Sequence, residues 1–335
     1  MRRVVVCVSV LVLILVAGCG ASEAPATSGA DGATAGPGST AGPAGTTETT
    51  AGVVAVSPFE VKTVSATLVD SDRVTPATVE QPEQPSRTLV TTIIYPDAPG
   101  PFPLIVFSHG LTGLPARHTE LSSTWASAGY IVAMPAFPLT NATVANANGN
   151  VADVANQPGD VSFVIDQLVA ADDDVSSPLY GKVLTDRIGI AGHSLGGATT
   201  YAVAQNDCCR DDRVDAVIIM SGLRLVNPDG DHLDAMPPTM LLHGVADPVL
   251  KVSIADEIYP QLRSPRWYVR LLVAGHSEAY EDTQSPSDDA VTASTTDFWQ
   301  AYLPPAAGPP DPAILERLAA DAVVDQISTL QSDPG

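Results

Sequence analysis

Residues 189–200 read "GIAGHSLGGATT", and the reading of this stretch decides the fold. An apolar, β-rich run, Arg187–Ala191, gives way within three residues to the small, helix-compatible segment that begins at Leu195. One serine, Ser194, stands at the change, between Gly192 and Gly196. A strand that turns sharply into a helix crowds its neighbours, and residues without a Cβ relieve that crowding. Flanks and spacing together predict a nucleophile elbow, with the serine hydroxyl exposed above the edge of a sheet. The helix dipole and the Leu195 amide then point at charge developing on a substrate oxygen.

Working outward, short β-rich runs recur at 87–96, 103–110, 130–137, 187–194, 214–222, 239–247 and 266–276, most of them closed by Gly or Pro. Several are apolar in both phases, as strands buried on both faces of a parallel sheet must be. Helical patterns lie between them at 117–129, 159–174, 195–205 and 252–263. Two more follow the last run, one around 294–303 and one, "PAILERLAADAVVDQISTL", expected to close the chain over 312–330. The alternation predicts a single α/β domain over 57–335 with a mostly parallel, doubly wound sheet. Leu223–Met236, between two of the runs, is too short for a helical cap domain, so an open site is expected. The Asn/Ala-rich connection 138–160 is expected either to arch beside the pocket or to be a plain surface loop.

A serine at its free pKa is a poor nucleophile and needs a base oriented by a third group. In this architecture the order along the chain is Ser, then Asp or Glu, then His. Asp247 closes "LLHGVAD" and His276 closes "LLVAGH", so both fall in loops at the same sheet edge as Ser194. Asp215 opens its strand and sits at the opposite edge, while Glu278 lies beyond the histidine. Asp231 and Asp234 are the reserve acids. Among the other histidines, His193 is expected to point away from its neighbour Ser194, and His243 to be a satisfied core imidazole. His118 is read as helical and His232 as a loop residue. The second oxyanion donor belongs to "SHGLTG" (108–113), where Gly110 permits the turn and the Leu111 amide joins that of Leu195. His109 is expected to brace this loop.

These pieces, "FSHGLTG", "DVSFVIDQL", "RIGIAGHSLGG", "LLHGVADP" and "VAGHSEAY", resemble the serine α/β-hydrolases. The resemblance is strongest to the group of platelet-activating-factor acetylhydrolases, bacterial cutinases and "predicted dienelactone hydrolases". It implies Ser194, Asp247 and His276 as a triad, Leu111 and Leu195 as the oxyanion hole, and hydrolysis of carboxylic esters without a cofactor or metal. A cysteine nucleophile marks true dienelactone hydrolases, so that substrate does not carry over to a serine enzyme. A serine peptidase, or a non-catalytic lipoprotein that binds lipid or polymer on this scaffold, is the alternative.

The N-terminus is a separate object. Arg2 and Arg3 precede an apolar run, Val4–Val16, followed by "AGC". The run is shorter than the roughly 20 residues a spanning helix needs and has the layout of a signal segment. It resembles a bacterial lipoprotein signal over 1–18, implying lipidation (palmitate) at Cys19 and an exported chain on the outer face of the cell membrane. Residues 19–56 hold almost no large apolar side chain and read as a flexible tether. The formal charge of −22 disfavours nucleic acid and anionic lipid headgroups as partners, so attachment would rest on acyl chains. After processing, Cys208 and Cys209 are the remaining thiols: in an oxidising compartment, a vicinal disulfide or two small buried side chains. The acidic run Asp172–Asp174 is read as a helix-end cluster rather than a metal site.

Overall fold

Alternate residues along the central strands belong to two different cores, the physical signature of a sheet covered on both faces. In the computed structural model, Leu104, Val106, Ile188, Ile190, Val217 and Ile219 pack into one cluster. Their neighbours Ile105, Phe107, Ala191, Ala216 and Ile218 pack into the other. The structure describes residues 58–144, 150–225, 230–306 and 308–335. The signal segment, Cys19 and the tether lie outside the described residues.

Nine strands form one sheet: β1 (Val61–Asp70), β2 (Arg87–Pro96), β3 (Phe102–Ser108), β4 (Ile131–Ala136), β5 (Val183–His193), β6 (Val214–Met220), β7 (Thr239–Gly244), β8 (Arg266–Leu271) and β9 (Ser328–Asp333). Their order is β1-β2-β4-β3-β5-β6-β7-β8-β9. The stretch from β4 through β8 is parallel; β1, β2 and β9 pair antiparallel. The helices are α1 (Thr119–Ser127), α2 (Gln157–Asp173), α3 (Leu195–Gln205), α4 (Ser253–Ile258), α5 (Asp288–Tyr302) and α6 (Pro312–Asp321). The first core takes side chains from α2, α3 and α4, including Val164, Tyr201 and Ile258. The second takes Trp125, Trp299 and Leu318 from α1, α5 and α6. This is the doubly wound α/β arrangement, with loops at the carboxyl ends of β3, β5, β7 and β8 free to build a site. The segment before β7 holds only a 3-10 turn, Leu233–Ala235, among its described residues.

Two elements depart from the sequence expectation. The closing helix stops at Asp321, and Ser328–Asp333 forms β9 against the whole of β8, from Arg266↔Asp333 to Leu271↔Ser328. A short run with apolar residues at 327 and 330 suits helix or strand equally; the open edge of β8 decides, because it offers a ladder of unpaired backbone groups. Strand β1 is the second departure: it lies ahead of the first β-rich run of the sequence, and Val64, Ala66 and Leu68 alternate with exposed residues along it. Cys208 and Cys209 are joined in a vicinal disulfide.

Segment 150–160 is anchored by a buried ionic cluster. The Arg87 guanidinium on β2 bonds both oxygens of Asp153 at 3.0 Å, and it bonds Asp160 on α2 through Nε at 2.6 Å and Nη2 at 2.5 Å. All three side chains are fully buried. Arg73 adds a half-exposed contact to Asp160 at 2.9 Å. Removing one member of a buried ionic cluster strands the others without compensation. Arg87→Met is therefore expected to lower stability by about 3–5 kcal/mol, read as a lower urea midpoint at unchanged m-value. Adding Asp153→Asn and Asp160→Asn should recover part of the loss; a midpoint unmoved by Arg87→Met would contradict this account.

Candidate active site

Ser194 is the N-cap of α3 and holds φ 55°, ψ −117°, a conformation a non-glycine residue adopts only under constraint. The constraint is visible. The Ser194 amide donates to the Met220 carbonyl at 3.0 Å, and the Ala198 amide donates to the Ser194 carbonyl at 3.2 Å. A Cβ on Gly192 would collide with the Gly196 backbone, and one on Gly196 would collide with the Ser108 carbonyl. The two glycines thus let α3 press against both its own strand and the loop after β3.

That loop carries the expected oxyanion donor. A Cβ on Gly110 would stand 3.1 Å from the Ser194 Cβ, so the loop passes directly over the serine. Its path is fixed: the Gly113 amide donates to Gly110 at 2.9 Å, Thr112 donates to the Thr140 carbonyl at 2.7 Å, and Ala142 donates to Gly113 at 3.0 Å. Thr112 itself sits at φ 57°. His109 is buried beneath; its Nδ1 donates to the Gly110 carbonyl at 2.7 Å and its Nε2 accepts the Phe137 amide at 3.1 Å. The described start of 138–160 thus lies against the oxyanion loop, where Thr140 and Ala142 bond it. The Leu111 and Leu195 amides engage no backbone carbonyl among the described residues, which leaves them available to a ligand.

The three expected side chains converge on this point. His276 Nε2 lies 2.8 Å from Ser194 Oγ, and His276 Nδ1 lies 2.7 Å from Asp247 Oδ2. Asp247 is buried, and its Oδ1 accepts the Val249 and Leu250 amides at 2.8 Å each. Burial alone would raise its pKa; the bonds from His243, His276 and Leu250 outweigh that and hold the carboxyl well below the usual range. An ionised Asp247 fixes the proton of His276 on Nδ1 and leaves Nε2 with a lone pair toward the serine. This arrangement can pass a proton from a hydroxyl to an imidazole and stabilise the imidazolium formed.

The remaining candidates fall elsewhere. Asp215 accepts the Ile188 amide at 2.9 Å at the far edge, and Asp231 pairs with Arg224 at 3.0 Å. Glu278 is spent on the amides of Gly275 and Ser277, and Asp234 lies in the 3-10 turn before β7. Asp172 and Asp174 each accept a nearby amide, Val183 and Ser176 respectively. Burial pushes His109 and His118 down to about 4 and His193 well below the ordinary value, so none of them competes as a base at neutral pH.

Three supports were not read from the sequence in these roles. His193 Nε2 donates to the His276 carbonyl at 2.8 Å and so steadies His276. His118 is the N-cap of α1 rather than a helical residue, fully buried, with Nδ1 donating to the Tyr280 carbonyl at 2.8 Å. His243 donates to the Leu250 carbonyl at 2.8 Å and lies 3.5 Å from Asp247 Oδ2, the same oxygen that His276 bonds. Only the last had a local signal, the four-residue spacing from His243 to Asp247.

A family model described as chlorophyllase matches residues 54–241, more than half of the chain. The chain belongs to the chlorophyllase family. Membership supports an esterase-type α/β-hydrolase. No match was found among curated proteins. The span matched to the chlorophyllases covers the loop 108–113 and Ser194 but ends before Asp247 and His276, which geometry alone joins to the serine. The match is to chlorophyllases rather than to the narrower group of acetylhydrolases, cutinases and dienelactone hydrolases.

Proposed function

We propose that the chain is an exported, membrane-tethered serine hydrolase of carboxylic esters. The observation that carries this is the relay of Ser194, His276 and Asp247, with consecutive spacings of 2.8 and 2.7 Å beneath two available amides. Ser194 Oγ attacks the ester carbonyl carbon while His276 Nε2 takes its proton. The carbonyl oxygen becomes an oxyanion that accepts from the Leu111 and Leu195 amides. Collapse expels the alcohol, which takes the proton from His276, and leaves an acyl group on Ser194. Water, deprotonated by His276, then releases the carboxylic acid.

A groove of about 680 Å³ borders Leu114, just beyond the loop 108–113; its wall is half apolar, with Leu114, Pro138 and Leu139, and half polar, with Thr88, Thr92 and Asn141, and Ser194 and His276 lie outside it. A large apolar ester part is proposed from the resemblance to cutinases and lipid acetylhydrolases. Tethering is supported by the signal-like N-terminus and Cys19. Among the described residues no helix is long and apolar enough to cross a membrane.

The test is covalent. A fluorophosphonate is expected to label one serine per chain, and a p-nitrophenyl ester to give a burst of one equivalent, both lost in His276→Ala. Parallel amide substrates should turn over far more slowly. A chain that stays unlabelled and shows no burst would mean a binding protein on a hydrolase scaffold, and the esterase reading would fail.

A further inference from the structure

Two neighbouring buried imidazoles, His118 and His193, each keep one ring nitrogen without a partner among the described residues. His118 Nδ1 donates to the Tyr280 carbonyl, so the ring's Nε2 carries no proton in the neutral form. His193 Nε2 donates to the His276 carbonyl, so its Nδ1 is likewise unprotonated. Among the described residues, both freed nitrogens are buried and without a hydrogen-bond partner. The rings meet at 60° with centroids 5.9 Å apart. One ring nitrogen of each histidine and a carboxylate oxygen of Glu281 all lie within 4.8 Å of one another. Buried acceptors without a partner call for one, which a hydrogen-bond donor or a cation would supply.

We propose that His118 Nε2, His193 Nδ1 and Glu281 form a binding site for a divalent transition-metal ion of the zinc class. Two imidazoles and one carboxylate suit zinc, cobalt, nickel or copper better than calcium or magnesium, which prefer oxygen donors. Ligands about 2.0–2.1 Å from a tetrahedral zinc ion stand roughly 3.3–3.5 Å apart, so the three donors need only a modest contraction. Glu281 can supply its share of it, since among the described residues its carboxylate is paired with Arg117 at 3.8 Å.

The surroundings are those of a built site. Metal-ligating histidines characteristically donate their second nitrogen to a carbonyl or carboxylate, as both do here. His118 and Glu281 are held in register by neighbouring bonds: the Asp282 amide donates to the Arg117 carbonyl at 2.6 Å, and the Asp282 carboxylate accepts the Thr119 and Glu120 amides at 3.1 and 2.9 Å. His193, the last residue of β5, brings the third donor from the sheet edge. An ion here would tie β5 and the start of α1 to the loop that carries His276, acting as a staple beneath the base. No spacing along the chain advertises it, because the donors are 75 and 88 residues apart.

The full chain, stripped with a chelator, is titrated with cobalt(II). One ion per chain should bind with the visible absorption of a tetrahedral N/O site, and zinc should displace it and raise Tm by several degrees. Glu281→Gln, a partly exposed position, should weaken cobalt binding at least tenfold with the apo Tm nearly unchanged, and His118→Gln should abolish the visible band. Binding that survives both substitutions would place the ion elsewhere on the acidic surface and overturn the site. So would the absence of both the band and the Tm shift, which leaves a trapped water bridging the two nitrogens. These readouts do not depend on esterase activity.

Discussion

Alanine in place of Ser194 is expected to lower kcat toward a p-nitrophenyl ester by about a millionfold, with KM changed only slightly, as when the nucleophile of a triad is removed. The hydroxyl is the one atom placed both on the base, at 2.8 Å, and under the loop of Gly110. What survives should be only the background that the two amides and substrate binding provide, about 10³–10⁴ over water. A fall of less than tenfold would refute the nucleophile assignment. Stability provides a second readout. At φ 55°, ψ −117°, any side chain with a Cβ is strained, by about 1–3 kcal/mol, whereas glycine is at ease. Ser194→Ala should leave stability nearly unchanged. Ser194→Gly, equally inactive, should gain about 1 kcal/mol after the extra unfolded-state entropy of glycine is deducted. The elbow would then be holding stability back in favour of function, as sites that depend on a strained residue do.

The parts of the site that could be read in the sequence are those fixed locally. The elbow is a five-residue pattern whose flanks announce strand and helix, and His276 and Asp247 follow from chain order plus position at a strand's end. Long central strands betray themselves because burial on both faces leaves little polar residue in them. The rest depends on partners distant along the chain. Ser328–Asp333 becomes a strand only because β8 is unpaired on that side, and nothing in those six residues states it. The packing of His118 under His193, with ring centroids 5.9 Å apart, is likewise set by how α1 docks, and a buried histidine looks the same in sequence whether it fills space or supports a base. Asp153 and Asp160 illustrate the same point: in sequence they are two more acids of an acidic chain, yet the fold buries both against Arg87.

Asp247→Asn changes a single atom type and should still cost about 10⁴ in kcat, because the tautomer of His276 depends on it. The Val249 and Leu250 amides both donate to Oδ1, so an asparagine must place its carbonyl oxygen there. Its NH₂ group is then forced into the Oδ2 position, 2.7 Å from His276 Nδ1. Two donors cannot share that bond. The imidazole must release the Nδ1 proton and carry it on Nε2, where it faces Ser194 as a donor and can no longer accept the hydroxyl proton. Substrate affinity should change little, and the rate of fluorophosphonate labelling should fall with kcat. A drop of less than tenfold would mean that another group orients the base, and the neighbouring acids are poor substitutes: Glu278 is bonded to Gly275 and Asp231 to Arg224. The stability consequence has a definite sign. A carboxyl held below its unfolded value of about 3.9 stabilises the fold above that pH, and the contribution is lost as pH falls through the lower folded-state value. The stability gap between the wild type and Asp247→Asn should therefore be widest near neutrality and shrink below about pH 4.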